Sequence, residues 1–143
     1  MAENTGAKHG GPPGSRGRTT IADVVVAKIA GMAARDVLGV YALGSGFARS
    51  MGSMRERMPG AGSDKSVTRG VSVEVGELQA AIDLEIVVDY GVSITDVAGA
   101  VRENVIAAVE RMAGREVVEV NIMVSDVKLP DEEDGGEERQ RIQ

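Results

Sequence analysis

The chain has 143 residues, 43% of them hydrophobic and 27% charged, which suits one soluble globular domain. It contains no cysteine, and its one histidine, His9, lies in a Gly- and Pro-rich stretch, so thiol chemistry is excluded and histidine-based catalysis is not expected. The net charge of -6 and the aromatic content of 2% argue against nucleic-acid binding, which commonly uses basic surfaces and aromatic platforms. We therefore expect a binding or scaffolding protein with no cofactor and no bound metal, rather than an enzyme.

Composition divides the chain into a domain and two tails. Residues 1–18 are rich in Gly and Pro, and residues 130–143 are strongly acidic, so both are predicted to be disordered. The remaining residues, 19–129, are predicted to form one domain. We expect a cytoplasmic protein, because the N-terminus lacks the apolar core of a signal peptide and the longest apolar stretch, residues 21–38, carries four charges.

The first periodic segment predicts a helix that begins near Thr20, where Thr20 and Asp23 match a capping pattern. Its predicted apolar face follows helical spacing and consists of Ile21, Val24, Val25, Ile29, Met32 and Ala33. Gly39 is suited to end this helix, and residues 40–43 then predict a short strand.

Residues 44–70 form a Gly-rich insertion with five basic residues. Within it, Phe47, Met51, Met54 and Met58 recur at helical spacing, and Arg49, Arg55 and Arg57 lie elsewhere on the same surface. One interpretation is an amphipathic element that docks on a membrane interface or in a protein groove. The other is a loop that folds back on its own domain.

Alternating hydrophobicity then predicts two strands, 71–75 and 80–88, joined as a hairpin by Gly76–Gln79. Ser93 and Asp96 predict the capped start of a second helix, and Gly114 predicts its end. A final strand follows, and its predicted inward face consists of Val118, Val120, Ile122 and Val124. The simplest packing is an α+β domain of two layers, a mixed sheet of three to four strands with both helices on one face.

The predicted outer face of the sheet is the main candidate site. It carries Asp83, Glu85 and Asp89 on one strand, with Glu74 and Glu119 on neighbouring strands, and the apolar residues Ala81, Val87, Val117 and Met123. The carboxylates indicate either a solvated face or a divalent-cation or acid–base site. An apolar patch with a charged rim is typical of an interaction surface. The candidate interaction residues are Phe47, Arg49, Met51, Met54, Arg55, Arg57, Met58, Asp83, Glu85, Val87, Asp89, Glu119 and Met123.

Several segments in order resemble the alkaline-shock and general-stress family of envelope stress response proteins. They are the helix IADVVVAKIAGMAARDVLGVYAL, the strand VSVEV, the YGVSI entry to the second helix, the VERMAG helix end and the strand VNIMVSDV. The resemblance spans residues 21–129, interrupted by the insertion. The insertion and the acidic tail depart from the family pattern.

This resemblance implies a small, non-catalytic bacterial cytoplasmic protein that self-assembles and binds a partner, with some relatives held at the membrane by an anchored protein. No catalytic residue is implied. The alternative class is a small α+β module associated with RNA, which the acidic sheet and the scarcity of aromatic residues disfavour.

Overall fold

The computed structural model describes residues 11–44 and 68–131. Its elements, in chain order, are α1 (Asp23–Arg35), β1 (Val40–Leu43), β2 (Val71–Val75), β3 (Gln79–Asp89), α2 (Ile94–Ala113) and β4 (Glu116–Lys128). A short 3-10 turn at Pro13–Ser15 precedes them and buries no residue. The predicted α+β fold is confirmed.

The four strands form one mixed sheet around β3. β4 pairs in parallel with one edge of β3, from Gln79–Glu116 to Asp89–Lys128. β1 and β2 both run antiparallel to β3, with β1 opposite residues 86–88 and β2 opposite residues 80–84. β1 and β2 therefore pair with the same edge of β3, one after the other. Together they form a single line of strand along that edge, and the insertion lies between them in the chain.

The two ends of the insertion meet at Glu85. The backbone N–H of Gly44 donates to the Glu85 carbonyl at 2.7 Å, and the backbone N–H of Glu85 donates to the Gly70 carbonyl at 2.8 Å. The chain therefore leaves the sheet after β1 and rejoins it before β2 at neighbouring points.

Both helices pack on one face of the sheet, which is the inner face. The core there consists of side chains from every strand and helix, with Ile82, Ile86 and Val88 of β3 fully buried against Val101, Val105 and Val109 of α2. Branched aliphatic side chains suit such a helix-on-sheet layer because they fill the space between the two elements without unpaired polar groups. β3 alternates as predicted, with Ala80, Ile82, Leu84, Ile86 and Val88 all buried.

Two irregularities in the β3–β4 pairing change the predicted face of several residues. The register shifts between Ala80 and Ala81 so that Val118 is skipped, and between Ile86 and Val87 so that Ser125 is skipped. A skipped residue is a β-bulge, which moves the preceding residues to the opposite face. The prediction for Val117 and Val118 is therefore wrong: Val117 is 8% exposed and joins the core, whereas Val118 is 51% exposed.

Val87 also departs from its predicted exposure, since it is only 2% exposed. It lies where β1 and β4 are both irregular, at Tyr41 and Ser125. Bulges bend a strand and increase its twist, so the sheet is no longer a flat open surface at this point. Val87 is buried and does not contribute to the exposed surface.

Helix α1 differs most from the prediction. It begins at Asp23, its N-cap is Ala22, and Thr20 makes no capping bond. Ile21 and Val26 occupy the positions on either side of the cap that form a hydrophobic staple, and both belong to the core. The helix ends at Arg35, so Gly39 instead adopts a positive φ in the turn before β1.

The buried face of α1 agrees only in part with the predicted one: Ala33 is buried and Ile21 and Ile29 pack against the core, as predicted. It is built from small residues, Val26, Ala27, Ala30, Gly31, Ala33 and Ala34, whereas Val24, Val25 and Met32 are 44–51% exposed. The small residues allow α1 to lie close to α2, and the Asn104 amide of α2 donates to the Ala33 carbonyl at 2.7 Å.

Helix α2 follows its prediction. The Ser93 hydroxyl accepts the backbone N–H of Asp96, and Gly114 ends the helix in the left-handed conformation. Val97, Val101, Val105 and Val109 are buried, while Ile94 and Met112 near the ends of the helix are exposed.

Candidate interaction surface

The face of the sheet opposite the helices, which we call the outer face, is a surface of carboxylates and one methionine. Asp83 of β3 lies between Ser72 of β2 and Asn121 of β4. The next row along β3 pairs Glu85 with Met123, which is 64% exposed. Alternation along each strand brings these side chains together because every second residue points to the same side.

An asparagine organises the acidic part of the outer face. The Asn121 side-chain amide donates to the Asp83 carboxylate at 2.9 Å and to the Glu119 carboxylate at 2.6 Å. One amide group thus supplies a donor to each of two carboxylates that would otherwise repel each other. Asn121 fixes the positions of both acids and acts as their neutral spacer.

A shallow depression of about 720 Å³ lies on the outer face beside this network. Asp83, Glu85 and Met123 contribute to its lining, together with Gly70 and Ser72. Its position matters because Gly70 is where the insertion rejoins the sheet. The depression therefore combines an apolar side chain, carboxylates and accessible strand residues in one concave area.

The structure brings together four of the predicted site residues, Asp83, Glu85, Glu119 and Met123. Asp89 lies at the far end of β3 opposite Lys128, whose ammonium lies 5.2 Å from the centre of the Tyr41 ring. Val87 is buried, as described above. The predicted candidates in the insertion, Phe47, Arg49, Met51, Met54, Arg55, Arg57 and Met58, lie outside the described residues.

The carboxylates do not assemble into a metal site. Across residues 11–44 and 68–131, no group of three acidic or histidine side chains is placed to hold a metal ion. Alternate residues on one strand lie about 6.6 Å apart along its axis, too far to chelate one ion without a neighbouring strand. The neighbouring strand here places an amide, Asn121, between the acids.

Two surface features were not predicted from the sequence. Asn121 is not among the predicted candidates, and Val24, Val25 and Met32 of α1 are exposed where burial was predicted. The position of the Asn121 amide opposite an acid on a paired strand could have indicated its role. The exposed side of α1 could be predicted only by knowing how closely the two helices pack.

No helix in the described part of the chain combines the length and apolar character needed to span a membrane.

Comparison with known proteins places this fold in a family. Residues 12–129 match the Asp23 family, described as having a cell envelope-related function; here Asp23 is the label of the family and not residue 23 of this chain. The chain is 33% identical over 117 residues to a stress response regulator, the gls24 homologue of Streptococcus pyogenes, with 82% of the chain aligned. The chain spans 62% of the length of that relative.

Two relatives from Bacillus subtilis are closer in length. YqhY is 33% identical over 113 residues, which is 79% of this chain and 78% of the relative. YloU is 31% identical over 113 residues, which is 79% of this chain and 90% of the relative. No solved structure matches the chain. The chain therefore belongs to the Asp23 family, whose function is related to the cell envelope.

Proposed function

We propose that this protein acts in the envelope stress response without catalysis, by self-assembly and by binding a protein partner at the cytoplasmic membrane surface. The family assignment supports the envelope context, and the name of the streptococcal relative supports a role in stress. The observation that carries the binding role is the outer face of the sheet, which neither helix covers.

The outer face has the composition of a contact surface. Met123 is 64% exposed beside the depression, and carboxylates surround it. Exposed apolar surface rimmed by charge is typical of protein contacts, and a flexible thioether adapts to different partner shapes. Its acids, among them Glu74, Asp83, Glu85 and Glu119, favour a basic partner surface and disfavour RNA, whose phosphates they would repel.

The insertion is the second proposed contact. Phe47, Met51, Met54 and Met58 supply apolar side chains, and Arg49, Arg55 and Arg57 supply positive charge. We propose that this segment contacts a membrane-anchored protein. Its ends leave the sheet at Glu85, on the line of strand that borders the depression, so a partner held by the insertion lies close to the outer face.

The test combines two measurements on the full-length protein. Sedimentation analysis over a range of concentrations reports self-assembly, and affinity capture from solubilised membranes followed by mass spectrometry reports partners. Met123→Glu is the test variant and Met112→Glu, an equally exposed methionine on α2, is the control. We expect Met123→Glu to reduce both self-assembly and capture. A protein that stays monomeric and captures the same proteins in both variants would refute the proposed function.

A further inference from the structure

Helix α1 has a second apolar side besides the one that faces the core. Its small residues face the core, whereas Val24, Val25 and Met32 are exposed by 50%, 44% and 51%. Successive residues on a helix are separated by about 100°, which places Val24, Lys28, Met32 and Arg35 along one stripe with Val25 beside it. We call this set the α1 stripe. Asp23, the single acidic residue of α1, lies in its first turn and away from the stripe.

The α1 stripe and the outer face lie on opposite sides of the molecule, because α1 packs on the inner face of the sheet. They are complementary in chemistry. The stripe joins apolar side chains to two cations, Lys28 and Arg35, and the outer face joins exposed Met123 to the carboxylates of Asp83, Glu85 and Glu119. Complementary charge favours correct pairing of two surfaces and penalises pairing of like with like.

We propose that the α1 stripe of one molecule docks in the depression on the outer face of a second copy. This inference rests on the self-assembly in the proposed function and names the two surfaces that meet. Met32 and Val25 contact the area around Met123, and Lys28 faces Glu85. The contact removes exposed apolar side chains of both copies from water, which is its main driving force.

The arrangement determines the kind of assembly. The two surfaces in contact are different, so one molecule of the pair keeps an unused outer face and the other keeps an unused stripe. Such a head-to-tail contact extends into an open chain unless its rotation closes a ring. A 13-residue helix is about 20 Å long, so the contact is smaller than a standard stable interface and each single junction is weak. Assembly is therefore strongly dependent on protein concentration.

Helix α1 is a suitable occupant because it is already folded. Its backbone is held against the core, so docking orders only side chains. The opposing hypothesis, in which Arg49, Arg55 and Arg57 of the insertion bind the carboxylates, is an alternative outcome of the same experiment.

The decisive experiment is a charge exchange followed by sedimentation analysis of full-length protein. Lys28→Glu places like charges against the outer face, and Glu85→Lys places like charges against the stripe. Each variant alone is expected to weaken self-association roughly tenfold or more. An equimolar mixture restores it, because each mutant surface then meets a complementary partner. If each variant dissociates and the mixture does not recover, the proposed pairing is wrong.

A second comparison separates the two occupants. Met32→Glu is expected to dissociate the assembly, whereas Met112→Glu, on the exposed side of α2, leaves it intact. The triple variant Arg49→Glu, Arg55→Glu, Arg57→Glu is also expected to leave it intact. Dissociation by the triple variant but not by Met32→Glu would assign the outer face to the insertion and overturn this proposal, while self-assembly itself would stand. A wild-type protein that is monomeric at every concentration would overturn both.

Discussion

A β-carbon added to Gly70 would lie 2.5 Å from the backbone nitrogen of Gly44 and 3.0 Å from the carbonyl oxygen of Glu85. Gly44, Gly70 and Glu85 form the junction between β1 and β2. Two parts of the backbone lie so close together there that no room is left for a side chain at Gly70. Gly70 also has a φ of 80°, a conformation that L-residues with a β-carbon rarely adopt.

We therefore expect Gly70→Ala to destabilise the fold more than an ordinary glycine replacement. Gly91 is a matched control, because its φ is 99° but no atom lies within 4 Å of an added β-carbon. Conformational strain alone predicts a loss of about 1–2 kcal/mol for Gly91→Ala. The collision with Gly44 predicts a clearly larger loss for Gly70→Ala, measured by urea denaturation. Equal losses in the two variants would show that the junction tolerates a side chain.

The bulge at Val118 makes an adjacent pair of valines unequal. Val117→Ala is expected to lose about 1–2 kcal/mol of unfolding free energy because it leaves space in the core, whereas Val118→Ala is expected to be nearly neutral. Chemical denaturation of both variants tests the register. Ile86→Ala and Glu85→Ala provide the same comparison within β3, with an expected loss of about 2–4 kcal/mol for the isoleucine and little change for the glutamate. A larger loss for Val118→Ala than for Val117→Ala, or for Glu85→Ala than for Ile86→Ala, would show that the inner and outer faces are assigned the wrong way round.

The amide of Asn121 can be tested by replacing it with a carboxylate of the same shape. Asn121→Asp removes the donor shared by Asp83 and Glu119 and adds a third negative charge, so stability should fall by roughly 0.5–1 kcal/mol at low salt. Salt screens repulsion between exposed charges, so the loss should shrink at high ionic strength. Asn121→Ser keeps a hydrogen-bonding group without the charge and serves as the control. A loss that does not depend on salt would exclude repulsion as its cause.

The tails provide a further test. Residues 1–18 and 130–143 are predicted to contribute nothing to the core, and the 3-10 turn at Pro13–Ser15 buries no side chain. A protein consisting of residues 19–129 is therefore expected to unfold cooperatively close to the full-length melting temperature. A decrease of more than about 8 °C, roughly 2 kcal/mol for a domain of this size, would show that a tail stabilises the fold.

The sequence was sufficient to predict β3 and α2. It was insufficient where strand pairing or close helix packing decides which side chains are buried. β3 is regular, so period-two alternation identified its faces correctly over Ala80–Ile86. The bulges at Val118 and Ser125 depend on which residues of β3 they face, which no local pattern contains. In α1 the pattern favoured Val24 and Met32 for burial because they are more hydrophobic than alanine. The side chains of α1 that are buried are instead small, and their size lets the helix lie close to its neighbours.

The candidate surface shows the same division. Alternation placed Asp83, Glu85 and Met123 on one face, and the pairing of β3 with β4 confirmed that they are neighbours. Val87 follows the same alternation but is buried, at a point where both neighbouring strands are irregular. The hydrogen bonds of Asn121 depend on side-chain reach across the sheet, which spacing along one strand does not reveal.

The junction at Glu85 makes the insertion a natural position for a probe. Because Gly44 and Gly70 both bond to the backbone of Glu85, the two ends of the insertion lie side by side at the edge of the sheet. A fluorescent or affinity label spliced there would be tethered at the edge of the depression without altering strand register. Energy transfer between labelled molecules would then report directly on what approaches the acidic side of the protein inside a living cell.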